Sequence, residues 1–390
     1  MKNVKLKYGY WGSKEFIAAL QAQKTSTKLF KEKLLTISDC EDLILLNSGR
    51  SAIRVALKSF KQIRPHKENI IVPSYTCNAV VDAIVDEGLN PLFIDVDENL
   101  NLSFEVIEKL DLTNVLAIII EHANGIPSDI KRISNITQSN EIFLIDDAAQ
   151  IQGVSINGKP LGSLGDVGIY SFAQSKTLVG GISGSGGALL INNPILVDPC
   201  QQLTASLSVS DNGRIAALKF ATTYLLEKYT YLISYYYRRI FPKTKFAKME
   251  ISLINPVNSA MLLAQFSRLK YILEGKRKAV LLYMKLKSNY PKIDFVQDIK
   301  NKDIIKLLIK LPIGLTPDQI KISMKQEGIQ TRLAYDLPWA TNNPNCKNAL
   351  KIASHMIEVP IVIGMEESDV KYILDKFQMI ISENDTPISI

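Results

Sequence analysis

The sequence has little cysteine and no cysteine pair of the kind that binds a metal. Its 390 residues include four isolated cysteines, Cys40, Cys77, Cys200 and Cys346. Without a CxxC motif, neither a structural zinc site nor a disulfide scaffold is expected. The basic residues 1–7 are not followed by an apolar segment, so no signal peptide is predicted and we expect a cytoplasmic protein.

Charge is not concentrated in any part of the chain. Lys and Arg number 46 against 39 Asp and Glu, which gives a net charge of +7. This excess suits an anionic small-molecule substrate but is too weak and too dispersed to indicate nucleic-acid binding. A chain of 390 residues exceeds the usual size of one hydrophobic core. We therefore expect two domains, residues 1–255 and 256–390, without internal repeats.

Short apolar segments alternate with segments of helical periodicity through the first half of the chain. The predicted strands are residues 43–46, 69–77 with a terminal turn, 92–97, 115–120, 142–145 and 167–172. This alternation is typical of a mostly parallel sheet with helices on its faces. Further along, a long helix is predicted over residues 258–273, and strands over 295–296 and 304–311 frame a smaller α/β unit.

Two acids follow the predicted strand at residues 142–145. Asp146 and Asp147 lie at its carboxyl end, and the carboxyl ends of strands in α/β sheets open onto the crevice where ligands bind. At least one of these carboxylates is therefore expected to face a site. A helix N-cap, with Asp before Ala148, explains the same residues about equally well.

A lysine and a glycine-rich segment follow the predicted strand at residues 167–172. Lys176 comes five residues after Ser171. A lysine held away from water loses its proton more easily, as an amine must before it combines with an aldehyde. A lone lysine is nevertheless more often a solvated residue. Glycines at positions 180, 181, 184, 186 and 187 either let the backbone approach a ligand closely or form a plain flexible loop.

A second site element is predicted after the strand at residues 43–46. A strand, Gly49 and the start of a helix bring free backbone N–H groups to a positive helix end, which is a natural phosphate seat. Ser51 would add a hydroxyl and Arg50 a charge. A helix N-cap is an equally simple explanation of Ser51.

Together these segments resemble the DegT/StrS family of pyridoxal-phosphate-dependent sugar aminotransferases. The similarity rests on residues 145–150 (IDDAAQ), residues 171–176 (SFAQSK) and a following Gly-Gly-Ala strand, and it extends from about residue 43 to the C-terminus. It implies an α/β protein with the pyridoxal-phosphate-dependent transferase fold type I. That fold has a mostly parallel central sheet flanked by helices and a smaller C-terminal α/β domain.

The resemblance also implies the cofactor, pyridoxal 5'-phosphate, and a role for each matching residue. Lys176 would bind the cofactor's aldehyde and then act as general acid and base. Asp147 would keep the pyridine nitrogen protonated, which leaves Asp146 structural. Gln150 would reach the phenolic oxygen of the ring, and Ser171 the phosphate. No metal site is predicted.

The sequence departs from the family pattern at several positions. Arg50 stands where the family has a threonine beside the phosphate-binding glycine. Cys77 occupies the usual position of an aromatic residue that stacks on the cofactor ring. Either Tyr75 turns in to stack or a smaller group covers the ring; we favour Tyr75, although a tyrosine on a strand is more often a core residue. His122 begins a segment that resembles the family's His-x-x-Gly-x-Pro motif, and it is either near the cofactor or simply packed. Residues 251–253 replace an Asn-x-Arg motif that lends an asparagine to the neighbouring subunit.

The resemblance fades between residues 200 and 250. Residues 215–241 read as a tyrosine-rich helix, and the charges of Lys219, Glu227 and Lys228 exclude a membrane span. A helix in a subunit interface is the simpler interpretation. Contact with a membrane surface through the tyrosines and neighbouring basic residues is the alternative.

The family's usual reaction transfers an amino group, commonly from glutamate, to a keto sugar linked to a nucleotide, in amino-sugar or surface-polysaccharide biosynthesis. That reaction and a homodimer are what the resemblance implies. Two other readings stay open. One is an enzyme of the same fold that acts on a ketone other than a sugar, and the other is a non-catalytic regulatory or membrane-associated relative. The joint presence of Asp147, Gln150, Ser171 and Lys176 argues against the last.

Overall fold

The structure, a computed structural model, describes residues 4, 6, 12–173, 175–181, 185–209, 250–296, 306–312, 314–341 and 343–384. The tyrosine-rich segment 215–241 lies outside the described residues. The described helices are α1 (Ser13–Leu20), α2 (Lys24–Leu35), α3 (Gly49–Ile63), α4 (Asn78–Asp86), α5 (Phe104–Ile107), α6 (Ile130–Ser139), α7 (Val197–Thr204), α8 (Pro256–Phe266), α9 (Leu269–Lys287), α10 (Pro317–Gln326), α11 (Lys347–Ser354) and α12 (Glu367–Asn384).

The strands form one large sheet, one small sheet and a short hairpin. They are β1 (Asp42–Leu46), β2 (Asn69–Pro73), β3 (Asn90–Ile94), β4 (Val115–Glu121), β5 (Phe143–Asp147), β6 (Ser155–Ile156), β7 (Lys159–Pro160), β8 (Val167–Ser171), β9 (Gly187–Ile191), β10 (Asp294–Phe295), β11 (Leu307–Lys310), β12 (Arg332–Leu333) and β13 (Met356–Val359).

The large sheet has the strand order β1-β9-β8-β5-β4-β2-β3. The neighbours β8, β5, β4, β2 and β3 pair in parallel, whereas β9 is antiparallel to both β1 and β8. Because the parallel strands share one direction, their carboxyl ends lie at one edge of the sheet. The predicted mostly parallel α/β architecture is confirmed.

Helices cover both faces of the large sheet. On one face, α3, α4 and α7 pack against β1, β8, β5 and β4 in a core that includes the stacked rings of Phe60 and Phe143. On the other face, α2 and α8 cover β1, β8 and β9, and α5 and α6 cover β2, β4 and β5. All seven residues of β4 are buried, as expected for a parallel strand that is covered on both faces.

The small sheet has the order β10-β11-β13-β12, with every pair antiparallel. Its Leu307, Ile309, Ile357 and Val359 pack against α9, α10 and α12. The opposite face carries Leu308 and Met356, which share a core with Tyr75 and Ala123 from the carboxyl edge of the large sheet. The small sheet is therefore packed directly against the edge at which a site was predicted.

The predicted helix over residues 258–273 is wrong in one respect, because two helices occupy this region. Helix α8 ends at Phe266 and α9 begins at Leu269. Between them Arg268 has a non-helical backbone, with φ −120° and ψ 12°. Its guanidinium forms an ion pair with the buried Glu15 of α1. This long-range contact, which periodicity does not reveal, accompanies the break.

Helices α8 and α9 pack in different hydrophobic cores. Helix α8 packs with α1 and α2, and α9 packs with the small sheet. Near the N-terminus, Val4 forms a parallel bridge with Ile329 and joins the core of the small unit. The boundary expected at residue 255 stays a prediction.

None of the described helices is long and apolar enough to cross a membrane.

Gly187 allows the start of β9 to lie against the backbone that precedes α3. A Cβ atom at this position would lie 2.3 Å from the carbonyl carbon of Ser48 and 2.4 Å from the amide nitrogen of Gly49. Such contacts cannot be relieved by a side-chain rotation, because both atoms belong to the main chain. The glycine-rich segment therefore serves chain packing at this position.

We expect Gly187→Ala to lower the free energy of unfolding by about 3 kcal/mol, because the start of β9 and the main chain of Ser48 and Gly49 must separate to admit the methyl group. Gly88→Ala is the matched control, since Gly88 has φ +71° and open space around it. It should cost only about 1 kcal/mol for the left-handed backbone. Denaturant unfolding of both variants measures the difference, and equal losses would contradict the packing role of Gly187.

Candidate active site

The carboxyl edge of the large sheet gathers most of the residues predicted from the sequence. It includes Glu121 and Asp147 at the ends of β4 and β5, and Ser171 at the end of β8. Lys176 follows in the loop after β8, and Gly49 begins α3 directly after β1. Strand order thus joins segments that are far apart in sequence.

Asp146 is a fully buried structural acid. One carboxylate oxygen lies 2.7 Å from Nε2 of His122, and the other accepts the backbone N–H groups of Gly162 and Leu164 at 2.8 and 3.0 Å. Nδ1 of His122 accepts the N–H of Ser128, so Nε2 carries the proton and donates it to Asp146. Both ring nitrogens of His122 are therefore used inside the protein, as the packed interpretation of this residue required.

Asp147 lies on the other side of the strand from Asp146 and is 6% exposed. Its Oδ1 accepts the backbone N–H of Ala149 at 2.9 Å. Burial raises the pKa of the Asp147 carboxyl, while the Ala149 hydrogen bond and the charge of Lys176 oppose that rise. A buried acid next to a cation at the edge of a sheet is a candidate partner for a ligand's protonated nitrogen.

Glu121 is a second buried acid, and sequence reasoning missed it. It is the register partner of Asp147 across the parallel strands, and it is 7% exposed. The hydroxyl of the fully buried Thr76 donates a hydrogen bond to Glu121. Burial, together with the charge of Asp147, raises the pKa of Glu121 to about 8. The available signal was an acid directly after six apolar residues of a buried strand.

Gln150 connects this edge to the C-terminal unit. Its Nε2 donates a hydrogen bond of 2.9 Å to the hydroxyl of Tyr335. Its Oε1 is buried and has no hydrogen-bond partner within the described residues. A buried amide oxygen without a donor is costly unless a ligand or water supplies one. Tyr335 was not predicted, because no local motif marks it.

The tyrosine pair Tyr75 and Tyr335 forms an aromatic wall beside Gln150. Their ring centroids are 5.2 Å apart with an interplanar angle of 39°. Tyr75 is 3% exposed and belongs to the core between the two sheets. Cys77 is half-buried at the N-cap of α4 and packs against the core of the large sheet.

The start of α3 brings together Gly49 and Ser171, as a phosphate seat requires. A Cβ atom at Gly49 would lie 3.0 Å from Cβ and 3.3 Å from Oγ of Ser171. Ser48 is the N-cap, and its Oγ accepts the N–H of Ser51 at 3.1 Å. The alternative in which Ser51 is the N-cap is therefore wrong. Ser51 lies inside the first turn.

Arg50 directs its side chain toward helix α4. Its Nη2 forms an ion pair of 2.7 Å with Oδ2 of Asp82. Its position in the first turn of α3 still brings its backbone to the positive end of the helix, where anions bind. An anion at this helix start would therefore meet the main chain of Arg50.

Solved structures define the class of this fold. The chain matches PseC of Helicobacter pylori, an aminotransferase involved in the biosynthesis of pseudoaminic acid, with a TM-score of 0.79, 16% identity, and coverage of 98% of this chain and 100% of that one. It matches the putative sugar aminotransferase Spr1654 of Streptococcus pneumoniae, in its PLP form, with a TM-score of 0.78, 17% identity, and coverage of 99% and 100%. The architecture is the fold type I of pyridoxal-phosphate-dependent transferases.

The chain belongs to the DegT/DnrJ/EryC1/StrS aminotransferase family, whose profile matches residues 17–378. The predicted family is thereby confirmed. Among curated proteins, the chain is similar to GDP-perosamine synthase of Vibrio cholerae, with 27% identity over 239 residues, which cover 61% of this chain and 56% of that protein. In two further curated relatives, the matched segment covers 38% and 46% of the relative's length. The chain therefore matches about half the length of these curated proteins.

Glu121 makes stability depend on pH. Its pKa is about 8 in the folded protein against an ordinary value of 4.5, so the folded state holds a proton that the unfolded state has lost between these values. Its contribution to stability is therefore present below about pH 4.5 and is lost as the pH rises toward 8. The slope is at most about 1.4 kcal/mol per pH unit.

We expect Glu121→Gln to reduce the loss of stability between pH 5 and 8 in the cofactor-free protein, because glutamine has no proton to release. Thermal unfolding at several pH values measures it. The exposed Glu98 provides the control variant Glu98→Gln, which should follow the parent. Identical pH profiles for parent and Glu121→Gln would show that Glu121 does not titrate in this range.

Proposed function

We propose that the protein is a pyridoxal-phosphate-dependent aminotransferase that transfers an amino group from an amino-acid donor to a keto sugar linked to a nucleotide. The observation that carries the proposal is the convergence of Asp147, Gln150, Ser171 and Lys176 at one sheet edge. Membership of the family supports the reaction class. GDP-perosamine synthase among the relatives, and sugar aminotransferases among the solved structures, favour a sugar acceptor.

The residues at the edge fit the proposed cofactor. The buried Asp147 suits the protonated pyridine nitrogen, because a carboxylate there stabilises a positive charge. Nε2 of Gln150 carries a second N–H beside the one it donates to Tyr335, and this hydrogen suits the phenolic oxygen. The buried Oε1 of Gln150, which has no hydrogen-bond partner among the described residues, can accept a further hydrogen bond from a bound polar group.

The phosphate group suits the start of α3. There the main chain of Gly49 and Arg50, at the positive end of the helix, lies beside the hydroxyl of Ser171. The hydroxyl of Ser51 is 3.0 Å from that of Ser48, which leaves Ser51 a supporting role. The negative charge of a phosphate is favoured at a helix N-terminus by the helix dipole.

Tyr75 and Cys77 are proposed to border the cofactor ring. Tyr75 has the aromatic face that stacking requires, and its contact with Tyr335 holds it at the edge of the site. Cys77, at the start of α4, would cover the ring with a smaller group than the aromatic residue it replaces.

Pyridoxal phosphate, when bound, supplies an electron sink for the carbon from which a proton is removed. Lys176 would hold the cofactor's aldehyde through its Nζ atom and, once displaced by the donor, use the same atom to accept and return the proton. Asp147 would stay ionised against the pyridine nitrogen and orient the ring. The charge of Lys176 lowers the pKa of both Asp147 and Glu121. Proton transfer by Lys176 and orientation of the ring by Asp147 are therefore compatible.

The donor is proposed to be glutamate and the assembly a homodimer. Sedimentation of the purified protein tests the assembly. The nucleotide part of the acceptor is tested by comparing activity toward the keto sugar with and without its nucleotide. Equal activity with and without the nucleotide would indicate that the acceptor is a different ketone.

We expect Lys176→Ala to abolish the visible band of the covalently bound cofactor and to lower turnover by about 100- to 10,000-fold, because the proton-transferring amine is removed. The parent should gain the band with pyridoxal phosphate and lose it on addition of L-glutamate. Lys159→Ala, at an exposed lysine of the β6–β7 hairpin, is the control and should behave as the parent. A parent that forms no band would remove the enzymatic proposal.

The two neighbouring acids should respond in opposite ways to the same substitution. Asp146→Asn should lower stability by about 1 to 3 kcal/mol, because an amide cannot accept all of the hydrogen bonds from His122, Gly162 and Leu164. Asp147→Asn should preserve stability and lower turnover, since the neutral amide no longer holds the nitrogen protonated. Thermal unfolding and turnover of both variants test this, and the reverse pattern would exchange the two assignments.

A further inference from the structure

The carboxyl edge of the large sheet places two acids side by side. Glu121 ends β4 and Asp147 ends β5, and the two are register partners in a parallel pair. Neighbouring strands lie about 4.8 Å apart, and side chains at paired positions project from the same face of the sheet. Both residues are less than a tenth exposed. The two carboxyl groups therefore lie within reach of each other and away from water.

Each acid has one oxygen that accepts a hydrogen bond from the protein. The hydroxyl of Thr76, which lies between β2 and α4, donates to Oε1 of Glu121. The backbone N–H of Ala149 donates to Oδ1 of Asp147. Among the described residues, no donor reaches Oε2 of Glu121 or Oδ2 of Asp147. These two oxygens are consequently available to each other and to a ligand.

The pair holds one proton near neutral pH. Two neighbouring carboxyl groups away from water do not both ionise, so one of them keeps its proton. Burial, together with the charge of Asp147, raises the pKa of Glu121 to about 8. The N–H of Ala149 can only donate and therefore favours the charged form of Asp147, whereas the hydroxyl of Thr76 can bond either form of a carboxyl group. The proton therefore lies on Glu121 and the negative charge on Asp147.

The small sheet adds a cation to these surroundings. Its face toward the site carries Leu308, which belongs to the core between the two units. Glu358 is the register partner of both Leu308 and Arg332. Lys306, two residues before Leu308, continues the same face and is 4% exposed. Burial raises the pKa of Glu121, and the charge of Lys306 opposes that rise without cancelling it.

The tyrosines of the aromatic wall complete the surroundings of Glu121. Burial raises the pKa of Tyr75 and of Tyr335 above the usual range of a phenol, so both side chains stay uncharged. Among the described residues, the charged groups that act on Glu121 are Asp147, Lys176 and Lys306.

We propose that Glu121 is a positioning residue that donates its proton to the carboxylate of Asp147 and so keeps Asp147 ionised toward the pyridine nitrogen of the cofactor. This inference rests on the proposed function and deepens it. A buried carboxylate with few hydrogen bonds is a stronger base, and it tends to take the proton of the nitrogen that it faces. The hydrogen bond from Glu121 stabilises the charged carboxylate, so the proton stays on the nitrogen.

The test measures the protonation of the ring nitrogen in bound pyridoxamine 5'-phosphate, which has no aldehyde and binds without a covalent bond to Lys176. The ring carries the heavy nitrogen isotope, whose NMR shift distinguishes a protonated nitrogen from a neutral one. The parent should show the protonated shift at pH 7. Glu121→Met keeps the length of the side chain and removes the donor, so the shift should move toward the neutral value. The dissociation constant should rise by about 10-fold, the value of one charged hydrogen bond.

Glu121→Gln is the matched rescue variant. Its amide donates a hydrogen bond as the protonated acid does, and its oxygen still accepts the bond from Thr76. This variant should retain the protonated shift and bind the ligand within twofold of the parent, a threshold we set for no change. Glu98→Met, at an exposed acid, makes the same substitution away from the site and should follow the parent.

A double variant keeps the test decisive if Glu121→Met is unstable. That substitution leaves the buried hydroxyl of Thr76 without its acceptor, which is costly. Combining it with Thr76→Val removes both polar partners and leaves an apolar contact between them. The double variant should show the same neutral shift and the same weaker binding as Glu121→Met.

The inference is overturned if Glu121→Met or the double variant keeps the protonated shift of the parent, whatever its affinity. It is also overturned if Glu121→Gln loses the protonated shift as Glu121→Met does, because a hydrogen-bond donor would then not be what Asp147 requires. A parent that does not bind pyridoxamine 5'-phosphate would instead refute the proposed function itself.

Discussion

The carboxylate of Asp146 is the interaction on which the geometry of the site depends. It joins the end of β4, through His122, to the loop before β8, through the N–H groups of Gly162 and Leu164. The His122 contact holds the carboxyl ends of β4 and β5 together, and the contacts with Gly162 and Leu164 attach the loop before β8 to them. As a consequence Asp147 and Glu121, which are register partners, lie side by side. In the proposed enzyme, an acid with a structural role would thus position the groups that react.

The large sheet could be predicted because parallel strands that are covered on both faces are continuous apolar segments. The location of Asp147, Gln150, Ser171 and Lys176 at the carboxyl edge could be predicted because each lies in a short local motif next to such a strand. Tyr335 could not, since it meets Gln150 across 185 residues of sequence. Glu121 was overlooked because the segment that resembles the family begins at His122, so no motif includes this acid. The N-cap of α3 is Ser48 and not Ser51, because the cap depends on backbone angles that the sequence does not show.

Burial shifts the pKa of the charged groups at this site. Four charged residues here are each less than a tenth exposed: Glu121, Asp147, Lys276 and Lys306. Burial raises the pKa of the two acids and lowers the pKa of the two lysines, which favours the neutral form of each. An acid and an amine that are both close to losing their charge can exchange protons with little cost near neutral pH. The same burial makes the fold less stable than an apolar interior would. The buried charges therefore lower the stability of the fold in the region where a polar ligand is expected.

The two units contribute different parts of this polar interior. The large sheet contributes the acids and Lys176 from its carboxyl edge, and the small sheet contributes Lys306, Arg332 and Glu358 from a single face. Tyr75 and Tyr335, one from each unit, are in contact between them. A displacement of the small sheet would therefore move the cations relative to Lys176 while leaving the acids in place. The cations of the small sheet and the acids of the large sheet can thus change position independently, because they rest on different sheets.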